Sequence, residues 1–121
     1  MDVKKILIVD DDEVFLKMLE KTLVSSGYSV SQATNGKDAI DIAKSWEPHL
    51  IILDIMMPEM DGGETALVLE KDSATQNIPI IFMTSLLKKE DENKLTYSQM
   101  RSYMAKPYNK DELLAEIEKK I

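Results

Sequence analysis

The sequence predicts an α/β fold in which five parallel strands form a sheet covered on both faces by helices, a three-layer (βα)5 sandwich. Apolar runs of strand length alternate with longer stretches of helical period along the 121 residues, which is the pattern of a parallel sheet. The run Ile6-Leu-Ile-Val9 is continuously apolar, as befits a strand buried on both faces. With 44% apolar residues, 31% charged residues and only four Gly and four Pro, the chain reads as one packed core with a solvated surface. A single domain over residues 1–121 is expected, since domains commonly run to about 100–150 residues. A chain of this length buries about 65% of the surface its unfolded form exposes. It therefore needs no disulfide or structural metal, and it has no cysteine.

The elements follow in order. After the Ile6–Val9 strand, Val14, Met18, Leu19, Thr22 and Leu23 recur at helical spacing, and Gly27 supplies a stop. Residues Tyr28–Ala33 read as a second strand. Their alternation of polar and apolar side chains leaves one face partly wet and places the strand at an edge. Asn35-Gly-Lys-Asp38 opens a second helix with an apolar stripe of Ala39, Ile40, Ala43 and Trp46, broken by Pro48. Leu50–Leu53 is the third strand, followed by a loop marked by Pro58 and Gly62-Gly63 and a short helix over Glu64–Glu70. The fourth strand, Ile80–Met83, is entered through Pro79, and a charged, helix-prone stretch runs from Leu87 to Met100. Tyr103–Ala105 is a fifth strand before Lys106-Pro107. Asn109 with Glu112 makes a capping box for a last helix in which Leu113, Ile117 and Ile121 repeat every four residues.

Charge narrows the partners. A net charge of −7 opposes direct nucleic-acid binding, which needs clustered Lys and Arg against phosphate; a cationic ligand or a basic partner is favoured. The apolar run after Lys4-Lys5 ends at Asp10-Asp11-Asp12, too short for a secretory signal of about 7–15 residues or a membrane helix of about 20. A soluble, unexported, cytoplasmic protein with no membrane partner is expected.

In a parallel α/β sheet, ligands bind outside the carboxyl ends of the strands. Four of the predicted strands end there in polar groups: Asp10-Asp11-Asp12, Asp54, Thr84-Ser85 and Lys106-Pro107. Carboxylates brought together repel unless a cation compensates them. Oxygen ligands without His or Cys select a hard ion, and a site with room for water and phosphate favours Mg²⁺, with Mn²⁺ or Ca²⁺ as substitutes. A lysine opposite such a cluster can neutralise an oxygen of an entering phosphoryl group, the Thr84 hydroxyl can donate to another, and Asp54 can act as the nucleophile. Taken singly, each residue has an ordinary structural reading as a cap, a loop residue or a strand terminator.

The pieces Ile6-Leu-Ile-Val-Asp-Asp11, Leu50-Ile-Ile-Leu-Asp54-Ile-Met-Met-Pro58-Glu-Met-Asp61-Gly62, Met83-Thr84-Ser85 and Tyr103-Met-Ala-Lys106-Pro107 resemble the receiver domain of two-component response regulators, in order and across nearly the whole chain. The resemblance implies a flavodoxin-like, CheY-like fold with strand order 2-1-3-4-5. It implies Asp54 as phosphoacceptor. Asp10, Asp11, Asp54 and the backbone carbonyl of Met56 would hold Mg²⁺, and Lys106 would pair with the phosphoryl group beside a cis bond to Pro107. Thr84 and Tyr103 would be the switch pair that remodels a surface made by the fourth helix, fifth strand and fifth helix. The implied partners are a sensor histidine kinase or histidine phosphotransfer protein and a downstream target protein, with a phosphorylation-dependent homodimer as a further expectation. Two departures stand out: Ser98-Gln-Met-Arg101 replaces the family's Gly-Ala turn before strand five, and Met56 occupies a position that influences water access. With no output segment after Ile121, the expectation is a stand-alone receiver or a piece of a longer chain.

Asp10-Asp-Asp-Glu-Val14 also fits the Asp-x-Asp-x-Val opening of haloacid-dehalogenase-type phosphatases, although that class leaves Asp54 unexplained and finds its second acidic pair only in Asp111 and Glu112. A flavodoxin-like cofactor module would need backbone donors where three carboxylates stand, and a receiver serving only as a scaffold would not need the complete site. His49 is expected at the surface, Trp46 against the sheet, the methionines in core or loop packing, and the mixed-sign run Lys88–Glu92 on a solvated helix face.

Overall fold

The computed structural model describes residues 3–85 and 101–121. Its elements are β1 (Lys5–Val9), α1 (Glu13–Ser25), β2 (Ser29–Ala33), α2 (Gly36–Trp46), β3 (Leu50–Asp54), α3 (Gly62–Lys71), β4 (Ile80–Thr84), β5 (Arg101–Ala105) and α4 (Lys110–Lys120). The helix expected over Leu87–Met100 and the Lys88–Glu92 run lie outside the described residues, so α4 is the C-terminal helix, the fifth of the sequence reading. The sheet order is β2-β1-β3-β4-β5 and every ladder is parallel.

The two faces of the sheet carry separate cores. Leu7, Val9, Ile51, Leu53, Ile80 and Phe82 point to the side that buries Ala39, Ile40 and Ala43 of α2 and Ala66 and Leu69 of α3. Ile6, Ile8, Leu50, Ile52, Ile81 and Met83 point to the side that buries Leu16, Leu19 and Leu23 of α1 and Leu113 and Ile117 of α4. This alternation is the two-residue period of a strand in which both faces are apolar. β2, at the edge, has a half-wet pattern, as its alternating sequence predicts.

Boundaries shift by one or two residues from the sequence reading. β1 begins at Lys5, β2 at Ser29 and β5 at Arg101, while α3 begins at Gly62 rather than Glu64 because Asp61 caps it, accepting the Glu64 N–H at 2.9 Å. In α1 the buried row is Leu16, Leu19 and Leu23, whereas Val14 and Met18 are 79% and 53% exposed. These two, four residues apart, form a second apolar row rotated away from the sheet. Gly27, at φ +97°, ends the turn after α1 in a conformation that costs a side-chain-bearing residue strain.

His49 departs from its expected surface position. It is half-buried; its Nδ1 accepts the Lys5 N–H at 3.0 Å while its own N–H donates to the Lys5 carbonyl at 2.8 Å. The ring thus extends the β1–β3 ladder by one bond. Trp46 packs against the core as expected, with Lys5 Nζ 5.4 Å from its ring centroid. Among the methionines of the β3–α3 loop, Met57 is buried and Met60 packs on the core, but Met56 is 54% exposed.

Candidate functional site

The parallel register brings the strand ends together. Asp54 pairs with Met83, Thr84 with Ala105 and Val9 with Leu53, so Asp10, Asp54, Thr84 and Lys106 all emerge at one edge. Asp10, Asp54 and Thr84 are each 5% exposed or less. Asp11 is exposed. One carboxylate oxygen from each of Asp10, Asp11 and Asp54 lies within 4.8 Å of the others. Lys106 Nζ donates to Asp10 Oδ2 at 2.5 Å and stands 3.7 Å from Asp54 Oδ1.

Local backbone features hold this geometry. Asp10 Oδ1 accepts the Asp12 N–H at 2.9 Å, which folds the chain at the end of β1. Asp12 faces away from the cluster's work: its carboxylate caps α1, accepting from the N–H groups of Val14 at 3.0 Å and Phe15 at 3.2 Å. Asp54 Oδ1 accepts the Met56 N–H at 3.3 Å. Gly62 backs onto the same turn, donating to the Ile55 carbonyl at 3.0 Å; a Cβ there would lie 2.3 Å from the Asp54 carbonyl oxygen, so only glycine fits. Glu59, between Pro58 and Met60, takes φ +66°, a left-handed conformation that is costly without a glycine. Lys106 is tied to β4 through its N–H on the Thr84 carbonyl at 3.0 Å, and the Lys106–Pro107 peptide bond is cis.

Burial pushes the Asp54 carboxyl from its ordinary 3.8 up to about 6; the neighbouring Asp10 charge pushes the same way, Lys106 and the Met56 N–H oppose it, and Asp11 adds a smaller push upward. At neutral pH Asp54 is still mostly ionised, and a carboxylate of raised basicity is a better nucleophile. The donor set fits a hard divalent cation: three carboxylates at close range, no nitrogen or sulfur ligand among them, and one carboxylate whose charge the protein alone under-compensates.

Of the remaining residues singled out from the sequence, Met56 presents its N–H to Asp54 and its side chain to solvent. Tyr103 is half-buried and stacks on Phe82, centroids 4.9 Å apart and planes at 18°. Phe82 pairs with Tyr103 and Thr84 follows two residues later on the same strand, so Thr84 and Tyr103 share the α2–α3 face of the sheet. Sequence reasoning passed over Phe15 and Tyr108. Lys106 Nζ sits 4.3 Å from the Phe15 ring centroid, and Phe15 meets Tyr108 edge-on at 6.0 Å and 81°. Their signal was position: Phe15 lies in the first turn after the acidic triplet, and Tyr108 directly follows Lys106-Pro107.

Known proteins resemble this chain in both sequence and fold. The family model described as the response regulator receiver domain matches residues 6–118. The polar-differentiation response regulator DivK of Brucella anthropi is 34% identical over 104 residues, spanning 86% of this chain and 85% of that protein; DivK of Brucella ovis is 33% identical over the same span. Among solved structures, the chemotaxis protein CheY4 of Vibrio cholerae superimposes with a TM-score of 0.85 at 28% identity, covering 99% of this chain and 100% of that one. The N-terminal domain of a response regulator receiver protein from Methanoculleus marisnigri has a TM-score of 0.76 at 32% identity, covering 97% and 95%. With a five-stranded parallel sheet in the order 2-1-3-4-5, the architecture is flavodoxin-like and CheY-like, and by sequence the chain belongs to the response regulator receiver family.

Proposed function

We propose that this receiver is a phosphorylation-controlled switch in two-component signalling, comprising residues 1–121 as one domain, with Asp54 as its phosphoacceptor. The observation that carries the reading is the convergence of Asp10, Asp11, Asp54 and Lys106 around one point at the sheet edge. The phosphoryl group would come from a phosphohistidine on a sensor histidine kinase or histidine phosphotransfer protein. The phosphorus–nitrogen bond breaks, a bond forms from phosphorus to an Asp54 carboxylate oxygen, and the imidazole leaves with the electron pair.

Asp10, Asp11, Asp54 and the Met56 carbonyl would hold Mg²⁺, which Mn²⁺ or Ca²⁺ could replace. When bound, the ion supplies positive charge against the carboxylates and the phosphoryl oxygens. The chain's own residues do the rest. Lys106, already within 3.7 Å of Asp54, places its ammonium where a phosphoryl oxygen needs compensation. Thr84, buried at the end of β4, offers a hydroxyl to another oxygen. Thr84 and Tyr103, on one face of adjacent strands, relay the event as the switch pair to the surface of β5 and α4, where a downstream protein or a second phosphorylated copy would dock.

The acidic chain has no expected role in direct nucleic-acid contact. No helix among the described residues is long and apolar enough to cross a membrane, and the cytoplasm, where the proposed kinase would deliver phosphate, is the proposed location. The module is a switch rather than a turnover enzyme, although its site assists both its own phosphorylation and its dephosphorylation. The test is intact-mass measurement after incubation with a small acyl-phosphate donor and Mg²⁺. One added phosphoryl group that needs the metal and vanishes in Asp54→Asn is the expected result; no added mass, or mass that persists in Asp54→Asn, overturns the reading.

A further inference from the structure

We propose that Phe15 is a positioning residue for Lys106, holding its ammonium over the acidic cluster through the face of an aromatic ring. The inference rests on the phosphoacceptor reading above and adds to it a residue that neither touches the phosphoryl group nor bears charge.

A lysine side chain has four rotatable bonds and loses considerable freedom when it is held in one place. Lys106 is held from two sides. Its Nζ donates to Asp10 Oδ2 at 2.5 Å, and on the other side it lies 4.3 Å from the centroid of Phe15, within the range in which a ring face attracts a cation. The ring is itself fixed. Asp12 caps α1 and accepts the Phe15 N–H at 3.2 Å, setting the backbone of that turn. Tyr108 meets the ring edge-on at 6.0 Å, and Thr22 anchors Tyr108. The two hydroxyls are hydrogen-bonded at 2.9 Å, and the Thr22 hydroxyl also lies 3.2 Å from the Met18 carbonyl. A continuous brace thus runs from α1 through Tyr108 and Phe15 to Lys106.

The brace has its use when the carboxylates take up other partners. Asp10 then no longer commands the lysine, and the ring remains as the uncharged surface that keeps the ammonium at the site. A leucine at position 15 would fill similar space without a quadrupole.

Two measurements decide it, both on the full chain. In the wild-type protein labelled at lysine, the ε-methylene protons of Lys106 should resonate upfield of the other lysines through the ring current of Phe15. That displacement should vanish in Phe15→Leu and survive in Phe15→Tyr. The rate of phosphorylation by a small acyl-phosphate donor at saturating Mg²⁺, which bypasses any docked protein, should fall roughly twofold to fivefold in Phe15→Leu, the scale of a surface cation–π contact, and match the wild-type rate in Phe15→Tyr. A Phe15→Leu protein that reacts at the wild-type rate overturns the inference and leaves the phosphoacceptor reading intact. Equal slowing in both variants also overturns it, because only a structural role would ignore the ring. An undisplaced Lys106 signal in the wild type refutes the placement whatever the variants do. Failure of the wild type to gain a phosphoryl group instead overturns the reading on which the inference rests.

Discussion

Removing the negative charge at position 54 should strengthen the folded protein in the absence of metal, by an amount that depends on pH. The Asp54 carboxyl is raised from 3.8 to about 6, first by burial and then by Asp10. At about 1.4 kcal/mol per pH unit between the two values, ionising it costs the fold about 3 kcal/mol. Because the folded value lies above the unfolded one, the penalty is absent below about pH 4. It grows as pH rises from 4 to 6 and is complete above 6. Asp54→Asn keeps the shape and the acceptor for the Met56 N–H but cannot ionise. In a chelating buffer, urea or thermal denaturation of both proteins between pH 4 and 7.5 should show them nearly equal at the acid end. At pH 7 the variant should be ahead by about 3 kcal/mol, roughly 10 °C in midpoint for a chain of this size. Millimolar Mg²⁺ should close much of the gap by raising the wild type alone. A variant that is no more stable at pH 7 than wild type, or whose advantage is the same at pH 4 and pH 7, would refute the account of a carboxylate held ionised against its surroundings.

Gly62→Ala should destabilise the protein by about 3 kcal/mol in urea denaturation, since its Cβ would press within 2.3 Å of the Asp54 carbonyl oxygen and the backbone behind the acid must move. Asp12→Asn, which keeps the cap on α1, should leave both the melting midpoint and the phosphorylation rate close to wild type, whereas a phosphatase of the Asp-x-Asp type would lose its acid. His49→Ala should cost about 1 kcal/mol in thermal unfolding through loss of the Lys5 N–H bond, with no change in phosphorylation rate.

Much of this was legible in the sequence because it rests on short-range rules. The unbroken apolar runs within β1, β3 and β4 report burial on both faces, and the wet alternation of β2 reports an edge. The Asn109 and Asn35 caps are visible as letters because capping is local, and both accept the expected backbone N–H. The acids and the lysine were legible as candidates because the parallel topology has one binding edge. What could not be read depends on rotation and on partners far away along the chain. Val14 and Met18 follow helical spacing as faithfully as Leu16 and Leu19; only the docking angle of α1 decides which row the sheet covers. His49 looks like a loop residue until β1 is set beside it, 44 positions away. The aromatic wall under Lys106 is invisible for the same reason, since Phe15 and Lys106 meet only once the first helix is laid against the last loop.

The strict two-sidedness of the central strands carries a constraint on how this protein can drift. Leu53 belongs to one core and Ile52 to the other, so sliding β3 by a single position against β1 would turn Asp54 under a layer of helices and put a greasy side chain at the rim. The aliphatic residues upstream of the acid therefore act as its address. They are free to trade one branched methyl for another, but not to gain or lose a place in the count.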